Sequence, residues 1–370
     1  MTTKLNRRSF LKTATVAGAA VAATPGRLLA ADGLVTLALV GCAHIHTPGF
    51  VNLLKGRADV KVKHVWDPDA RRAERWAREL GCPVTSEVDA IWSDAEVRGV
   101  VICSETTRHP ALVASAARAK KHLFVEKPLG VTARESFVMA KQIEDAGLWF
   151  TTGYFMRTDP KHLFLREQIA KGAFGKITRV AAWNCHSGSL GGWFDEKPDN
   201  VAESWRWMAD PKVSGVGAFG DLGTHSLDIL MWLMGDVESV VADIQVVTGR
   251  YGPTCDENGQ SMIKFKGGVM GALTAGWVDV ANPVSLMISG TEGHAVIVRD
   301  QLYFKAKGFD DREPLKNLPK GPALPLHQFV DAVAGKADQP LVRPREAAAR
   351  VAVMEAMYKS DKTGRWTKVG

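Results

Sequence analysis

Only five of the 370 residues are cysteine, scattered singly at Cys42, Cys82, Cys103, Cys185 and Cys255. An odd count with no close pairing excludes a disulfide framework and a thiolate metal centre. Cys42 and Cys103 lie in apolar stretches and are expected as small core residues. No internal apolar run reaches the roughly 18 to 20 residues that a membrane-spanning helix needs. Internal repeats are lacking too, as are low-complexity tracts beyond the first thirty residues.

A strong charge excess is also missing, despite a formal net charge of +7. Residues 1–31 carry Lys4, Arg7, Arg8, Lys12 and Arg27 and no acid, so the rest of the chain stands at +2. That small balance gives no electrostatic case for nucleic-acid binding. The cationic segment is itself informative. Asn6-Arg7-Arg8-Ser9-Phe10-Leu11-Lys12, followed by the apolar run Ala14–Ala23, resembles a twin-arginine export signal. Small residues around Leu29-Ala30-Ala31 suit a signal peptidase. The expectation is a leader over 1–31, an exported and periplasmic mature protein, and no membrane association after cleavage.

What the chain does contain is enough for two domains. Residues 32–153 alternate strand and helix signals, the pattern of a parallel α/β sheet. Strands are expected at 34–40, 60–66, 99–102, 122–125 and 149–152, with helices at 70–80, 110–119 and 132–146. Residues 154–370 change texture: a helix at 160–171 precedes a series of strands between 177 and 298. The expected fold class is α/β, with an N-terminal Rossmann doubly wound parallel sheet. A C-terminal α+β domain with an open, mainly antiparallel sheet follows. Helices at 326–333 and 345–358 are expected to return to the first domain. An open sheet face is rarely left in water, so a homodimer or homotetramer through it is expected.

Three segments carry chemistry. Glu126-Lys127-Pro128-Leu129-Gly130 follows the strand at 122–125 and puts a lysine at its carboxyl end, where α/β sheets bind ligands. Gly41-Cys42-Ala43-His44-Ile45-His46 follows the first strand, where a dinucleotide turn carries Gly-x-Gly-x-x-Gly. Only the first glycine survives, but Ala43 is small enough for the backbone to approach a pyrophosphate. Asp67 closes the second strand and suits a ribose 2′-hydroxyl, which favours NAD. Nearby Arg71 and Arg72 leave NADP open. His44 and His46 have no third ligand nearby in sequence, so no metal is expected. Third, Asp221 and His225 lie four residues apart in a helical stretch and share one face. A carboxylate there is expected to orient the imidazole as a base.

Glu126-Lys127-Pro128 together with Asp221-x-Gly223-x-His225 resembles the glucose–fructose oxidoreductase / inositol dehydrogenase / MocA-like family. Ser104-Glu105-Thr106-Thr107-Arg108-His109 and Gly153-Tyr154-Phe155-Met156-Arg157 are similar to further landmarks of that family. The glycine fingerprint and the Ser104 loop depart from its pattern. The resemblance implies an NAD(P)-dependent oxidoreductase acting on a hydroxyl of a sugar, polyol or glycoside. Lys127 and His225 would be the reacting residues, with Asp221 behind His225. Gly41, Ala43, His44, Ile45, Asp67, Ser104, His109, Glu126 and Lys127 would lie at the cofactor. Tyr154, Arg157, His186, Trp205 and Trp207 would lie at the carbohydrate, among a tryptophan cluster that includes Trp183 and Trp193. Export away from the cytoplasmic nucleotide pool implies a retained cofactor recycled within the catalytic cycle. Redox-neutral glycoside hydrolysis and a non-catalytic sensor are the alternatives.

Overall fold

The computed structural model describes residues 33–370 apart from Pro198, so the expected leader lies outside the described residues. Five parallel strands open the fold: β1 (Val35–Cys42), β2 (Val60–Trp66), β3 (Gly99–Cys103), β4 (His122–Val125) and β5 (Phe150–Thr152). They pair in the order β2-β1-β3-β4-β5. Helices α1 (Thr47–Lys55), α2 (Ala70–Leu80), α3 (Asp89–Ser93), α4 (His109–Arg118) and α5 (Ala133–Asp145) connect them. Short β-branched runs buried on both faces are what a parallel sheet requires, and β3 is buried along its whole length. Helix α2 shows why its ends are sharp. The Asp69 carboxylate accepts from the Arg71 amide at the start, and Gly81 at φ +66° closes the other end.

The second half begins with α6 (Pro160–Ala170) and β6 (Ile177–Cys185), then α7 (Pro211–Ser214) and α8 (Ala218–Met234). Strands β7 (Val237–Gln245), β8 (Asn258–Phe265), β9 (Met270–Gly276), β10 (Val284–Gly290), β11 (His294–Val298) and β12 (Gln301–Lys305) follow. Helices α9 (Pro325–Val333) and α10 (Pro344–Thr363) and the short β13 (Thr367–Lys368) end the chain. The second sheet runs β12-β11-β10-β6-β9-β8-β7-β13. It is mixed rather than wholly antiparallel, because β6 and β9 pair in parallel. Helix α8 packs on β6 and β9, while Met262 and Met270 remain exposed on this sheet. Among the described residues no helix is long and apolar enough to cross a membrane.

Helices α9 and α10 lie against the first sheet. Leu326, Phe329, Val330 and Val333 of α9 share a core cluster with β1 and β3 residues. Ala347, Ala348 and Val351 of α10 share another with β4 and α5. Arg57 fastens α9 through Asp331 at 2.6 Å. The amino-terminal part of α8 is thereby held opposite the carboxyl ends of the first sheet's strands.

Candidate active site

Strand order reverses direction between β1 and β3, and the crevice at such a point is where open α/β sheets bind nucleotides. The turn after β1 is pressed against the end of β3. At Gly41, φ is +78°, and a Cβ there would lie 2.5 Å from the Ser104 Cβ, so only glycine fits. The Ala43 and His44 amides both donate to the Cys103 carbonyl at 3.0 Å. Helix α1 starts just beyond, at the end of the helix dipole that suits a phosphate. The buried Asp67 carboxylate accepts from the Cys42 amide at 2.6 Å, from the Asp69 amide at 2.8 Å and from Arg72 Nε at 2.9 Å. Arg72 also reaches Glu105, at 2.8 Å. A glycine-only contact at the switch point and an acid at the end of β2 fit an NAD-type cofactor.

The Lys127–Pro128 peptide bond is cis. Lys127, 2% exposed, extends from the end of β4 to Asp221 Oδ1 at 2.6 Å. Trp277 Nε1 donates to the other Asp221 oxygen at 3.3 Å. Burial opposes the Asp221 charge, but Lys127 overrides it and brings the carboxyl down to about 2. Asp221 therefore pairs with Lys127, which corrects the expectation that it orients His225. Helical spacing does bring the two side chains to one face, but the buried ammonium is the stronger partner for a carboxylate. Among the described residues, buried His225 Nδ1 has no hydrogen-bond partner. Burial first and Lys127 second hold His225 well below its usual pKa, so it is a neutral proton acceptor.

Glu126 is wholly buried. Its carboxylate accepts from the Lys127 amide at 2.7 Å and lies 3.1 Å from His46 Nδ1 and 3.8 Å from His44 Nε2. A Cβ on Gly153 would sit 2.7 Å from Glu126 Oε1, so this glycine is needed to leave the carboxylate room. Here the sequence reasoning missed a residue. His44 and His46 do have a third potential ligand nearby, in Glu126, and the three ligand atoms lie within 4.8 Å of one another. Eighty residues separate the partners, so no local spacing signals them. The donor set is nevertheless poorly arranged for a metal. His44 Nδ1 accepts from the His46 amide at 3.2 Å, which leaves the His44 proton on Nε2, the atom facing Glu126.

The remaining expected residues divide. Ser104 is buried under Gly41. His109 links two loops, with Nδ1 3.1 Å from the Leu129 carbonyl and Nε2 3.3 Å from that of Ser104. It is a buried bolt rather than an open contact. Ile45 packs toward the core of the second half. Trp207 Nε1 donates to the Ala43 carbonyl at 2.8 Å, so this tryptophan sits on the dinucleotide turn. Trp205 lies under Lys197. His186 stacks on Trp193 with ring centroids 4.8 Å apart. Tyr154 donates to, or accepts from, Thr224 at 2.9 Å. Arg157 is bound by both Asp228 oxygens, at 2.6 and 2.8 Å, which takes it out of the open site. Phe155, which sequence reasoning left unassigned, packs its ring 5.0 Å from that of His225. With Trp183, Ser226 and Ile229 it lines a cavity of about 450 Å³.

Comparison with known proteins gives three matches along the chain. Residues 35–154 match an oxidoreductase family with an NAD-binding Rossmann fold, and residues 162–296 match the GFO/IDH/MocA C-terminal domain. Residues 4–24 match a twin-arginine translocation signal, which indicates export. Levoglucosan dehydrogenase of Pseudarthrobacter phenanthrenivorans is 28% identical over 65% of this chain and 66% of its own. For 2,7-anhydro-N-acetylneuraminate hydratase of Escherichia coli the figures are 27%, 64% and 60%. The chain thus spans just under two thirds of these two relatives. For 1,5-anhydro-D-fructose reductase of Ensifer adhaerens they are 24%, 90% and 97%. A solved levoglucosan dehydrogenase complex with NADH and levoglucosan superposes with a TM-score of 0.75 at 22% identity, covering 90% of this chain and 99% of that one. At that identity the likeness speaks for the fold.

Proposed function

The chain belongs to the Gfo/Idh/MocA oxidoreductase family, with an NAD-binding Rossmann half, and from that premise we propose that it oxidises a secondary hydroxyl of a sugar, polyol or glycoside. One observation carries the reading: a buried Lys127–Asp221 ion pair faces the neutral His225 beside the dinucleotide turn. Bound NAD supplies the hydride acceptor. The Lys127 ammonium stabilises negative charge as it develops on the substrate oxygen, a role for which a desolvated cation is effective. Asp221 and Trp277 fix where that cation points. His225 takes the hydroxyl proton as the hydride leaves. The acid at the end of β2 favours NAD over NADP, since a 2′-phosphate would meet the Asp67 carboxylate.

We further propose that the exported protein works in the periplasm with a retained cofactor. Two short turns of the second half, Val201–Glu203 and Arg206–Ala209, support this. Ala202 is buried in the core cluster of β1 and α2. Trp207 is hydrogen-bonded to Ala43, with its ring 6.0 Å from that of His44. The segment lies across the turn that a nucleotide must pass. The test is product analysis without added cofactor on a panel of sugars and aryl glycosides. Purified protein is expected to carry bound nucleotide, and Trp207→Ala to lose it on dialysis. A protein that purifies empty and turns over only added NAD removes the retention reading. Paired oxidised and reduced sugars indicate oxidoreduction. Released aglycone indicates the redox-neutral hydrolase, which the same residues support. The outer face of the second sheet, carrying Met262 and Met270, is proposed to meet a second copy. Light scattering should give at least twice the chain mass, and Met262→Asp should lower it.

A further inference from the structure

We propose that His46, held by Glu126, is a second proton-transfer group of this site and equips it to break a C–H bond next to a carbonyl. The proposal rests on the functional reading above only for the origin of that carbonyl.

The tautomer follows from the contacts. Glu126 is buried, and although burial works against its charge, His44, His46 and Lys127 keep the carboxyl well below the usual range. An ionised carboxylate only accepts, so the 3.1 Å contact puts the His46 proton on Nδ1. That leaves the Nε2 lone pair free. His44 cannot play this part. Its Nδ1 accepts from the His46 amide, and burial brings its imidazole down to about 3. His44 thus serves to hold Glu126. The His46 side chain is 31% exposed while Glu126 is 0%, so the pair presents an imidazole to the opening and hides the acid behind it. The His46 ring lies 6.3 Å from that of His225 and 6.4 Å from that of Phe155. These are the groups that line the reacting end of the site.

The two imidazoles are therefore in different states. His225 has a cation behind it and, among the described residues, no hydrogen-bond partner at Nδ1. His46 has a carboxylate behind it, which fixes its tautomer and the direction of its ring. Simple hydride transfer needs one proton acceptor, and His225 is the one beside Lys127. His46, oriented by Glu126 and open to the site, is left for a second proton. Once the hydroxyl carbon is a carbonyl, the neighbouring C–H bond is acidified. That bond breaks, its electron pair delocalises onto the carbonyl oxygen near Lys127, and its proton goes to His46 Nε2. Return of the proton restores the ketone. Where the next carbon carries an oxygen substituent, its C–O bond breaks instead. The electron pair then leaves on that oxygen, which takes the proton from Nε2.

A supplied ketone isolates this step from hydride transfer. With 1,5-anhydro-D-fructose in D₂O and the NAD⁺-loaded protein, NMR should detect deuterium entering the carbons that flank the carbonyl, faster than in buffer. Oxidation of added NADH on the same ketone is followed separately by absorbance. His46→Gln should lower the exchange rate by roughly 10²-fold, the usual worth of a general base, and should lower the ratio of exchange to NADH oxidation. Glu126→Gln, which reaches this proton transfer through His46, should lower that ratio less. Exchange no faster than in buffer, or an unchanged ratio in a folded His46→Gln protein, overturns the proposal. NADH oxidation without exchange overturns it and spares the oxidoreductase reading. Exchange without NADH oxidation does the reverse.

Discussion

Lys127→Ala should slow hydride transfer by about 10² to 10³-fold, the cost typical of deleting one preorganised group that stabilises an oxyanion, while nucleotide still co-purifies. The lysine contacts Asp221 and its own neighbours at the end of β4, and the turn at Gly41 is held by separate bonds to Cys103 and Asp67. Rates measured at saturating substrate should therefore fall far more than nucleotide content. A variant that loses both together makes Lys127 a structural residue and removes it from the chemistry.

The same substitution carries a stability signature. Asp221 would keep its buried position but lose its ammonium, and breaking one side of a buried pair typically costs about 3–5 kcal/mol. In the native protein the depressed carboxyl, at about 2, contributes stability above the ordinary aspartate range that is lost only as pH falls through that value. In the variant, burial is the main influence left, and it acts in the opposite direction, favouring the protonated acid. The stability gap between the two proteins should therefore be widest near neutrality and narrow on acidification toward pH 4. Asp221→Asn added to Lys127→Ala should recover part of the lost stability and none of the rate. Denaturant midpoints at several pH values check both points. A gap that widens on acidification contradicts the assignment of Asp221 as the buried counter-charge.

Local punctuation made much of the fold legible. The ranges expected for β2, α2 and β4 agree residue for residue with those observed, because each is bounded by a cap, a glycine or a charge change. Pairing direction is not local, so nothing in the β6 or β9 sequence marks them as parallel neighbours. Strand β13 escaped notice because two residues are too short to show alternation. The site divides in the same way. Spacing within one element revealed that Asp221 and His225 share a face. It could not reveal which of several charges Asp221 would choose, since Lys127 lies 94 positions away. His46 and Glu126, 80 positions apart, were invisible as a pair for the same reason.

The largest loss of stability is expected at a residue that touches no reacting group. Asp228 lies on α8, seven residues beyond Asp221, and its side chain is wholly buried. Its Oδ1 accepts from Arg157 Nη2 at 2.6 Å and Arg350 Nε at 2.9 Å, and its Oδ2 from Arg157 Nε at 2.8 Å. Arg157 comes from the segment after β5, Arg350 from α10, and Glu346 touches both through its side chain or carbonyl. One carboxylate thus ties α8 to the end of the first sheet and to the helix packed on it. Asp228→Ala would strand two buried guanidiniums, which cannot neutralise themselves by giving up a proton. A cost of about 5 kcal/mol is expected, at the upper end for a broken buried pair because two cations lose the same partner. Thermal unfolding of the variant checks this. Whatever folds should also turn over more slowly, because α8 carries Asp221 and His225 and its position relative to Lys127 is set through this joint. Asp228→Asn keeps the shape and part of the hydrogen bonding but not the charge, and should fall between the two. A wild-type melting temperature for Asp228→Ala would mean that the α8 position is fixed by apolar packing alone.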